Sequence, residues 1–180
     1  MPTLRSLSGV CVVLQAAVVE FVTHDDRDNK FLLHLEHRIR ASTGAVALRK
    51  ERTASGFEHM SDENREAYRN AAQTFLTMKA LCEGHNEAAQ NVLRRQASGT
   101  DVNTVAAAAR LVSLLCDTSA SLRAMEEAEV ELVVFGLDLL VEVVQGPCVG
   151  NQELLATLDG FVPALDKVPP PRIDPTGLFF

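Results

Sequence analysis

The sequence predicts an all-α fold, built as an antiparallel helical bundle or a short armadillo-like α-solenoid. Apolar residues recur at spacings of three and four through most of the 180 residues, and no segment alternates apolar and polar residues over the length of a strand. Hydrophobic residues make up 47% of the chain and aromatic residues only 5%, a composition that favours helix–helix packing over a β-sandwich. No repeat of fixed period is visible, so any solenoid character is expected to be degenerate.

Residues 1–40 are predicted to form a helical hairpin. Its first helix is expected over residues 3–23 and its second over residues 29–40. Residues 41–60 lose the apolar periodicity and are punctuated by glycine and serine, which predicts a flexible connection. The stripe expected to face the core on the first helix consists of Leu4, Leu7, Cys11, Leu14, Val18 and Phe21.

Residues 61–160 are predicted to form a helical domain whose helix ends carry capping residues. Ser61 is expected to cap the first of these helices, and Gly84 to end it in a left-handed conformation. Asn86 and Asp101 are expected to cap the next two helices. The predicted core stripes are Tyr68, Ala71, Ala72, Phe75, Met78 and Cys82, then Ala88, Ala89, Val92 and Leu93, and then Val105, Ala108, Ala109, Val112 and Leu115.

A long acidic-faced helix is expected to follow and to stop at Gly146-Pro147, because proline cannot continue the hydrogen-bond ladder. A last helix is predicted over residues 152–159. Residues 161–180 contain five prolines, which predicts an extended tail. The core stripe of the long helix is expected to be Val130, Val133, Leu137, Leu140 and Val144.

Charge and cysteine content exclude several classes of protein. The chain has 17 Lys and Arg against 24 Asp and Glu, a net charge of −7, which argues against a nucleic-acid binder. Its four cysteines are far apart and form no Cys-x-x-Cys pair, as expected in a reducing, cytosol-facing environment.

The longest uncharged apolar run, residues 6–19, has 14 residues and is too short to span a bilayer as a helix.

Two segments carry more specific patterns than periodicity. The first is Leu81-Cys82-Glu83-Gly84-His85-Asn86, followed by Gln90-Asn91 and Leu93-Arg94. The second is Gln145-Gly146-Pro147-Cys148-Val149-Gly150-Asn151-Gln152. In order and separation they resemble the RIH-associated domain, which accompanies the homology region shared by ryanodine receptors and inositol trisphosphate receptors. The resemblance covers about residues 65–155; the first 60 residues carry only a generic helix pattern, and the proline-rich end departs from the family.

The resemblance implies a non-catalytic helical scaffold in the cytosolic part of a large tetrameric calcium-release channel of the endoplasmic reticulum. The ligand-binding and pore regions of such channels are absent from this sequence, which suggests a fragment or a shortened relative. The implied partners are neighbouring helical domains, with no nucleic acid and no membrane insertion of this chain. The signature residues implied to be structural are Cys82, Gly84, His85, Asn86, Gln90, Leu93, Gln145, Gly146, Pro147, Cys148, Asn151 and Gln152.

Two other hypotheses about function stay open beside the resemblance. A free-standing helical adaptor would bind a protein partner through an exposed apolar face, and the broad apolar stripe of residues 3–23 motivates it. The second of these hypotheses is a small hydrolase, but the sequence has no phosphate-binding loop, nucleophile elbow or paired catalytic carboxylates. We therefore predict no catalytic residue and no cofactor.

Apparent metal, redox and modification motifs each have a plainer interpretation. Cys82-x-x-His85 has the spacing of half a zinc site, but no second pair accompanies it, so we predict a capped turn and no metal. Cys148 follows an acidic helix and lacks the electropositive surroundings of a catalytic thiol, so we predict a helix stop in which Asn151 and Gln152 satisfy backbone groups.

The acidic segment after the first helix resembles a calcium-binding loop only in part. An EF-hand loop beginning at Asp25 would place Glu36 correctly at its twelfth position, but Lys30 would replace the glycine that the loop requires. We therefore predict an acidic inter-helix turn. Ser55, in Arg52-Thr53-Ala54-Ser55, resembles a basophilic kinase site, where phosphorylation would change the local charge.

Overall fold

A computed structural model describes the backbone of residues 4–54, 61–97 and 101–168, and the side chains of residues 12–51, 61–97 and 101–168. These parts of the chain contain nine α-helices and no strand, which confirms the predicted all-α class. The helices are α1 (Leu4–Glu20), α2 (Lys30–Ala54), α3 (Asp62–Cys82), α4 (Glu87–Arg94), α5 (Thr104–Leu115), α6 (Ser119–Arg123), α7 (Glu127–Val144), α8 (Val149–Thr157) and α9 (Phe161–Leu165). A π-helical turn, Phe21–Asp25, continues α1.

Helices α3, α5 and α7 pack together at the centre, and α2 covers α3 and α5. The predicted core stripes of α3 and α5 are confirmed, since every residue of both stripes is buried. Gly136 of α7 allows the closest approach: a Cβ there would lie 2.5 Å from Cγ2 of Val112 and 3.1 Å from Cε2 of Phe75. The three central helices therefore meet at a point where only glycine fits.

Local side-chain caps begin most of the central helices. Ser61 Oγ accepts a hydrogen bond from Asn64 N at 3.2 Å, and Asn86 Oδ1 accepts one from Ala89 N at 3.2 Å, as the sequence predicts. The cap predicted at Asp101 is wrong. Asn103 caps α5 instead, because the Thr104 hydroxyl donates to the carbonyl of Leu93 and fixes where the helix begins.

Helix α2 contradicts the prediction that residues 41–60 are a flexible connection. It continues without a break from Lys30 to Ala54, while residues 55–60 lie outside the described part of the chain. Ser42 and Arg49 face inward, with the Ser42 hydroxyl donating to the carbonyl of Ala67 at 2.6 Å. Two buried polar residues thus interrupt the apolar pattern on which the sequence prediction depended.

The predicted facing of the first helix is wrong for two of the three stripe residues whose side chains are described, while Val18 is half-buried against the core as expected. Leu14 and Phe21 are exposed, whereas Gln15 and Val22 are buried. The reason is that Gln15 Nε2 donates to the carbonyls of Ala80 at 2.8 Å and Glu83 at 3.1 Å, so a polar residue holds α1 against the end of α3. The side chains of the stripe's first members, up to residue 11, lie outside the described residues.

Three smaller differences concern facing and helix ends. On α7, Val133 and Leu140 are buried as predicted, but Val130 is exposed. On α4, Ala88 is exposed, while the polar Gln90 is buried. The last predicted helix, α8, begins three residues earlier than expected, at Val149.

Part of the predicted proline-rich tail is helical. Residues 161–165 form the short helix α9, in which Pro163 occupies the first turn. Proline is tolerated there because the first amide groups of a helix have no intrahelical acceptor. Residues 169–180, where the other four prolines lie, are outside the described part. Among the residues that the structure describes, no helix is both long enough and apolar enough to cross a membrane.

Candidate functional site

The two sequence motifs meet in space. The turn that follows α3 leads into α4, the turn that follows α7 leads into α8, and α8 packs against both α4 and α7. We call this contact the α4–α8 junction and define it as residues 82–94 together with residues 142–152. It brings the two halves of the predicted signature, which are separated by about 50 residues in sequence, into direct contact.

Gln90 is the central side chain of the junction. It is completely buried, and its Nε2 donates to the carbonyls of Glu142 at 2.9 Å and Gln145 at 3.0 Å. The last carbonyls of a helix have no intrahelical donor, so this amide satisfies the end of α7. A polar side chain on α4 therefore takes the place of water at a buried helix end.

Asn151 makes the matching bonds from α8. Its Nδ2 donates to the carbonyl of Val143 at 2.9 Å and to the carbonyl of Gln90 at 3.1 Å, within a completely buried site. Gln152, which is exposed, donates through Nε2 to the carbonyls of Val144 at 3.0 Å and Gly146 at 3.2 Å. The backbone hydrogen bonds that the sequence predicts for Asn151 and Gln152 are thus present.

The turns of the two motifs pack against each other at glycine. Gly84 and Gly146 have φ values of +78° and +79°, in the left-handed region that glycine adopts without strain. A Cβ on Gly146 would lie 3.1 Å from the Cβ of His85, which itself has a φ of +61°. The exposed His85 therefore shapes the junction through its backbone position, and Pro147 follows on the exposed side of the turn.

Arg94 and Asn91 hold the start of α8 against α4. A Cβ on Gly150 would lie 2.5 Å from Cζ of Arg94, so the guanidinium group lies directly over this glycine. Asn91 Oδ1 accepts a hydrogen bond from Arg94 Nη2 at 2.7 Å and a weaker one from the thiol of Cys148 at 3.6 Å. The beginning of α8 is fixed by side chains of α4 as well as by its own turn.

The cysteines of the junction are buried and poorly suited to chemistry. Burial raises the pKa of the Cys82 thiol to about 12, and the charges of Glu142 and Cys148 add to the effect. A thiolate is the reactive form of cysteine, and this environment disfavours it. Cys82, Cys148 and the neighbouring Leu93 pack as apolar side chains.

The acidic segment after the first helix holds the start of α2. Asp26 Oδ1 accepts a hydrogen bond from Lys30 N at 2.9 Å, and its Oδ2 accepts one from Phe31 N at 2.7 Å, so this carboxylate binds the start of α2. Over the described residues, no group of three or more His, Cys, Asp or Glu side chains is arranged to hold a metal. Ser55, the candidate kinase site, lies outside those residues.

One buried cluster is missing from the sequence predictions. Glu129 of α7 is completely buried, and its Oε1 lies 2.6 Å from Nε of Arg49 and accepts a hydrogen bond from the Tyr68 hydroxyl at 3.1 Å. Its Oε2 accepts a hydrogen bond from the backbone of Glu126 at 3.2 Å, which completes a capping box at the start of α7. Burial raises the pKa of the Tyr68 hydroxyl, and the Glu129 carboxylate raises it further.

A signal for this cluster is present in the sequence. Glu129 precedes Val133 by four residues and Leu140 by eleven, so it falls on the predicted core stripe of α7. A carboxylate at a core position requires a buried partner. The sequence does not identify Arg49 as that partner, because the pattern of residues 41–60 predicts a flexible connection.

Comparisons with known proteins locate the junction within a described family. A family model for "RyR and IP3R Homology associated" matches residues 65–166, more than half of the chain. The inositol 1,4,5-trisphosphate receptor itr-1 of Caenorhabditis elegans is 35% identical over 83 residues, which is 44% of this chain and 3% of that receptor. The α4–α8 junction lies entirely inside the family match, whereas Arg49 lies before it.

Proposed function

The chain belongs to the RyR and IP3R homology associated family, and from this premise we propose that it is a non-catalytic helical scaffold of an intracellular calcium-release channel. It would act on the cytosolic face of the endoplasmic reticulum and transmit small shifts between the helical domains that neighbour it. The proposal assigns coupling to this module, and assigns it neither ligand binding nor ion conduction. The chain spans only 3% of the length of the receptor that it matches.

The observation that carries the proposal is the pair of buried amides at the α4–α8 junction. Gln90 and Asn151 bind three carbonyls at the end of α7, and Asn151 also binds the backbone of α4. A displacement of α8 must therefore move α4 and α7 with it or break buried hydrogen bonds. Packed elements tied in this way transmit motion as a unit, as the scaffold of a large channel requires.

The chemistry of the junction residues supports a structural use. The NH2 groups of Gln90 and Asn151 are occupied with backbone carbonyls, and the thiols are buried, with a raised pKa at Cys82. A catalytic site needs a nucleophile or base that can reach a substrate. The junction instead places its polar groups where they hold helix ends.

A receptor chimera tests the proposal. The 83-residue matching segment of the itr-1 receptor is replaced by the corresponding segment of this chain, and inositol-trisphosphate-evoked calcium release is measured in cells that lack their own receptors. We expect release from the chimera, and a loss of about tenfold or more in its sensitivity when Asn151→Ala breaks the buried bonds, which corresponds to about 1.4 kcal/mol of lost coupling.

Glu153→Gln serves as the matched control, because Glu153 is exposed on the same helix. It should leave calcium release unchanged. If the Asn151→Ala chimera assembles normally and releases calcium as well as the parent chimera, the coupling role of the junction is wrong.

A second candidate, a free-standing adaptor, is favoured by one observation on α1. Val12, Val13 and Leu14 are 62%, 70% and 62% exposed, three consecutive apolar side chains in contact with solvent. An adaptor would bury them against a protein partner. Two results together would argue against the adaptor. Sedimentation would show only monomer, and a pull-down would capture no partner whose binding is lost in a Val13→Ser variant.

A further inference from the structure

The outer face of α7 carries a row of exposed valines. Val130, Val134 and Val141 are 48%, 50% and 55% exposed, on the side of the helix that faces away from α3 and α5. Their spacings of four and seven place them in one line along the helix. Valine is a poor helix former, so helix stability does not explain its use at three solvent-facing positions.

A row of carboxylates runs beside the valines. Glu127, Glu131 and Asp138 are exposed, and each precedes one of the three valines by three residues. At 3.6 residues per turn this spacing sets the acidic row about 60° around the helix from the apolar row. The face is therefore amphipathic, with its negative charge on one side only.

One of the three carboxylates of this acidic row is paired within the chain: Asp138 lies 2.9 Å from the ammonium group of Lys79. Glu127 and Glu131 make no ion pair within the described residues. An apolar row beside unneutralised carboxylates is typical of a surface that another molecule covers.

We propose that the outer face of α7 docks a basic amphipathic helix from another polypeptide. Apolar residues of that helix would pack on the valine row, and its lysine or arginine side chains would lie over the carboxylate row. Because the acidic row lies on only one side of the valines, the charge pattern would also fix how the partner helix is rotated about its axis. The inference extends the proposed scaffold function by giving the chemistry of one neighbour, and it does not depend on the junction.

Charge complementarity favours a different polypeptide over a second copy of this chain. The chain has a net charge of −7, so a second copy would bring a predominantly acidic surface towards an acidic face. A basic helix from another polypeptide has the complementary charge.

Peptide binding to the full chain tests the proposal. The probe is a fluorescent helical peptide of leucine and lysine with leucines at spacings of four and seven, and a scrambled peptide of the same composition is its comparison. Fluorescence anisotropy should show that the amphipathic peptide binds about tenfold tighter than the scrambled one, and that the affinity falls as salt rises. Val134→Ser and Glu131→Lys should each weaken its binding about fivefold.

Two matched variants on other surfaces serve as controls. Val162→Ser on α9 removes a valine that is 46% exposed, and Glu153→Lys on α8 reverses an exposed charge. Neither should change the affinity. Circular dichroism of all four variants establishes that they are folded.

Three outcomes would overturn the proposal. These are equal binding of the two peptides, equal effects of the α7 and control variants, and self-association of the chain alone that Glu131→Lys abolishes, which would assign the face to a second copy. None of them bears on the receptor chimera, in which Asn151 is changed and the α7 face is left intact. The two proposals can therefore fail separately.

Discussion

Gln90 and Asn151 satisfy buried helix ends with side chains that are themselves completely buried. Each directs its NH2 group at two carbonyls, and three of these four carbonyls belong to the end of α7, where no intrahelical donor reaches them. A buried carbonyl without a donor is expensive, so these two residues determine whether α8 can pack against α7. At the residue scale, the junction depends on them more than on its exposed members.

Asn151→Ala should lower the free energy of unfolding by about 2–3 kcal/mol, because the buried carbonyl of Val143 loses its donor and the carbonyl of Gln90 loses one of its hydrogen bonds. Gln152→Ala is the control: Gln152 also donates to two carbonyls, but it is exposed, and water can replace it at a cost of about 1 kcal/mol or less. Urea denaturation followed by circular dichroism measures both changes. Equal losses in the two variants would contradict the importance of burial.

Cys82 should resist alkylation in the folded chain. With a pKa of about 12, the thiol at pH 8 is almost wholly protonated, whereas a free cysteine is partly thiolate. Iodoacetamide labelling followed by peptide mass spectrometry should leave Cys82 unmodified in buffer and modify it in urea. Labelling at the rate of a free thiol would instead favour a reactive cysteine and support the hypothesis of a small hydrolase.

At the scale of the helices, local signals predicted the elements well and their facing less well. The caps at Ser61 and Asn86 act within three residues, so the sequence contains both partners of each bond. The facing of α1 and the length of α2 depend on Gln15 and Ser42, whose partners are 65 and 25 residues away. Polar residues with distant partners are read as surface residues when only periodicity is available.

Glycines in two helices should respond in opposite directions to alanine. Gly136→Ala should destabilise the chain by about 1–3 kcal/mol, because the new methyl group would clash with Val112 and Phe75. Gly44→Ala should stabilise it by up to about 1 kcal/mol, since nothing lies within 4 Å and alanine favours the helix. Chemical denaturation measures both. A shift of the same sign in both variants would contradict the close packing at Gly136.

At the scale of the whole molecule, the packing extends beyond the family match. Arg49 of α2 lies before residue 65, yet it pairs with the buried Glu129 inside the matched region. Lys50 reaches the carbonyl of Leu114 at 2.6 Å and the carboxylate of Asp117 at 2.7 Å. The division of the chain at residue 61 stays a prediction, and these contacts suggest that α2 and the following helices fold together.

A chain of residues 61–168 should therefore fail to unfold cooperatively. Without α2, Glu129 is a buried charge without its cation, which costs about 3–5 kcal/mol, and apolar surface on α3 and α5 is uncovered. Denaturation curves and the dispersion of amide NMR signals measure the effect. Residues 26–168, which keep α2 and its Asp26 cap, are the control. Identical transitions in the two chains would show that α2 is dispensable.

The sequence by itself determined the helical class, the caps at Ser61 and Asn86, and the use of Asn151 and Gln152 to satisfy backbone groups, because these depend on periodicity and on residues close by in the sequence. Only the tertiary structure decided that α2 continues to Ala54, that Gln15 and Glu129 face inward, and that Gln90 joins the two motifs. The physical reason is the same in each case. A polar side chain enters the core only where a distant segment supplies its hydrogen-bond or charge partner, and that partner becomes adjacent only when the chain folds.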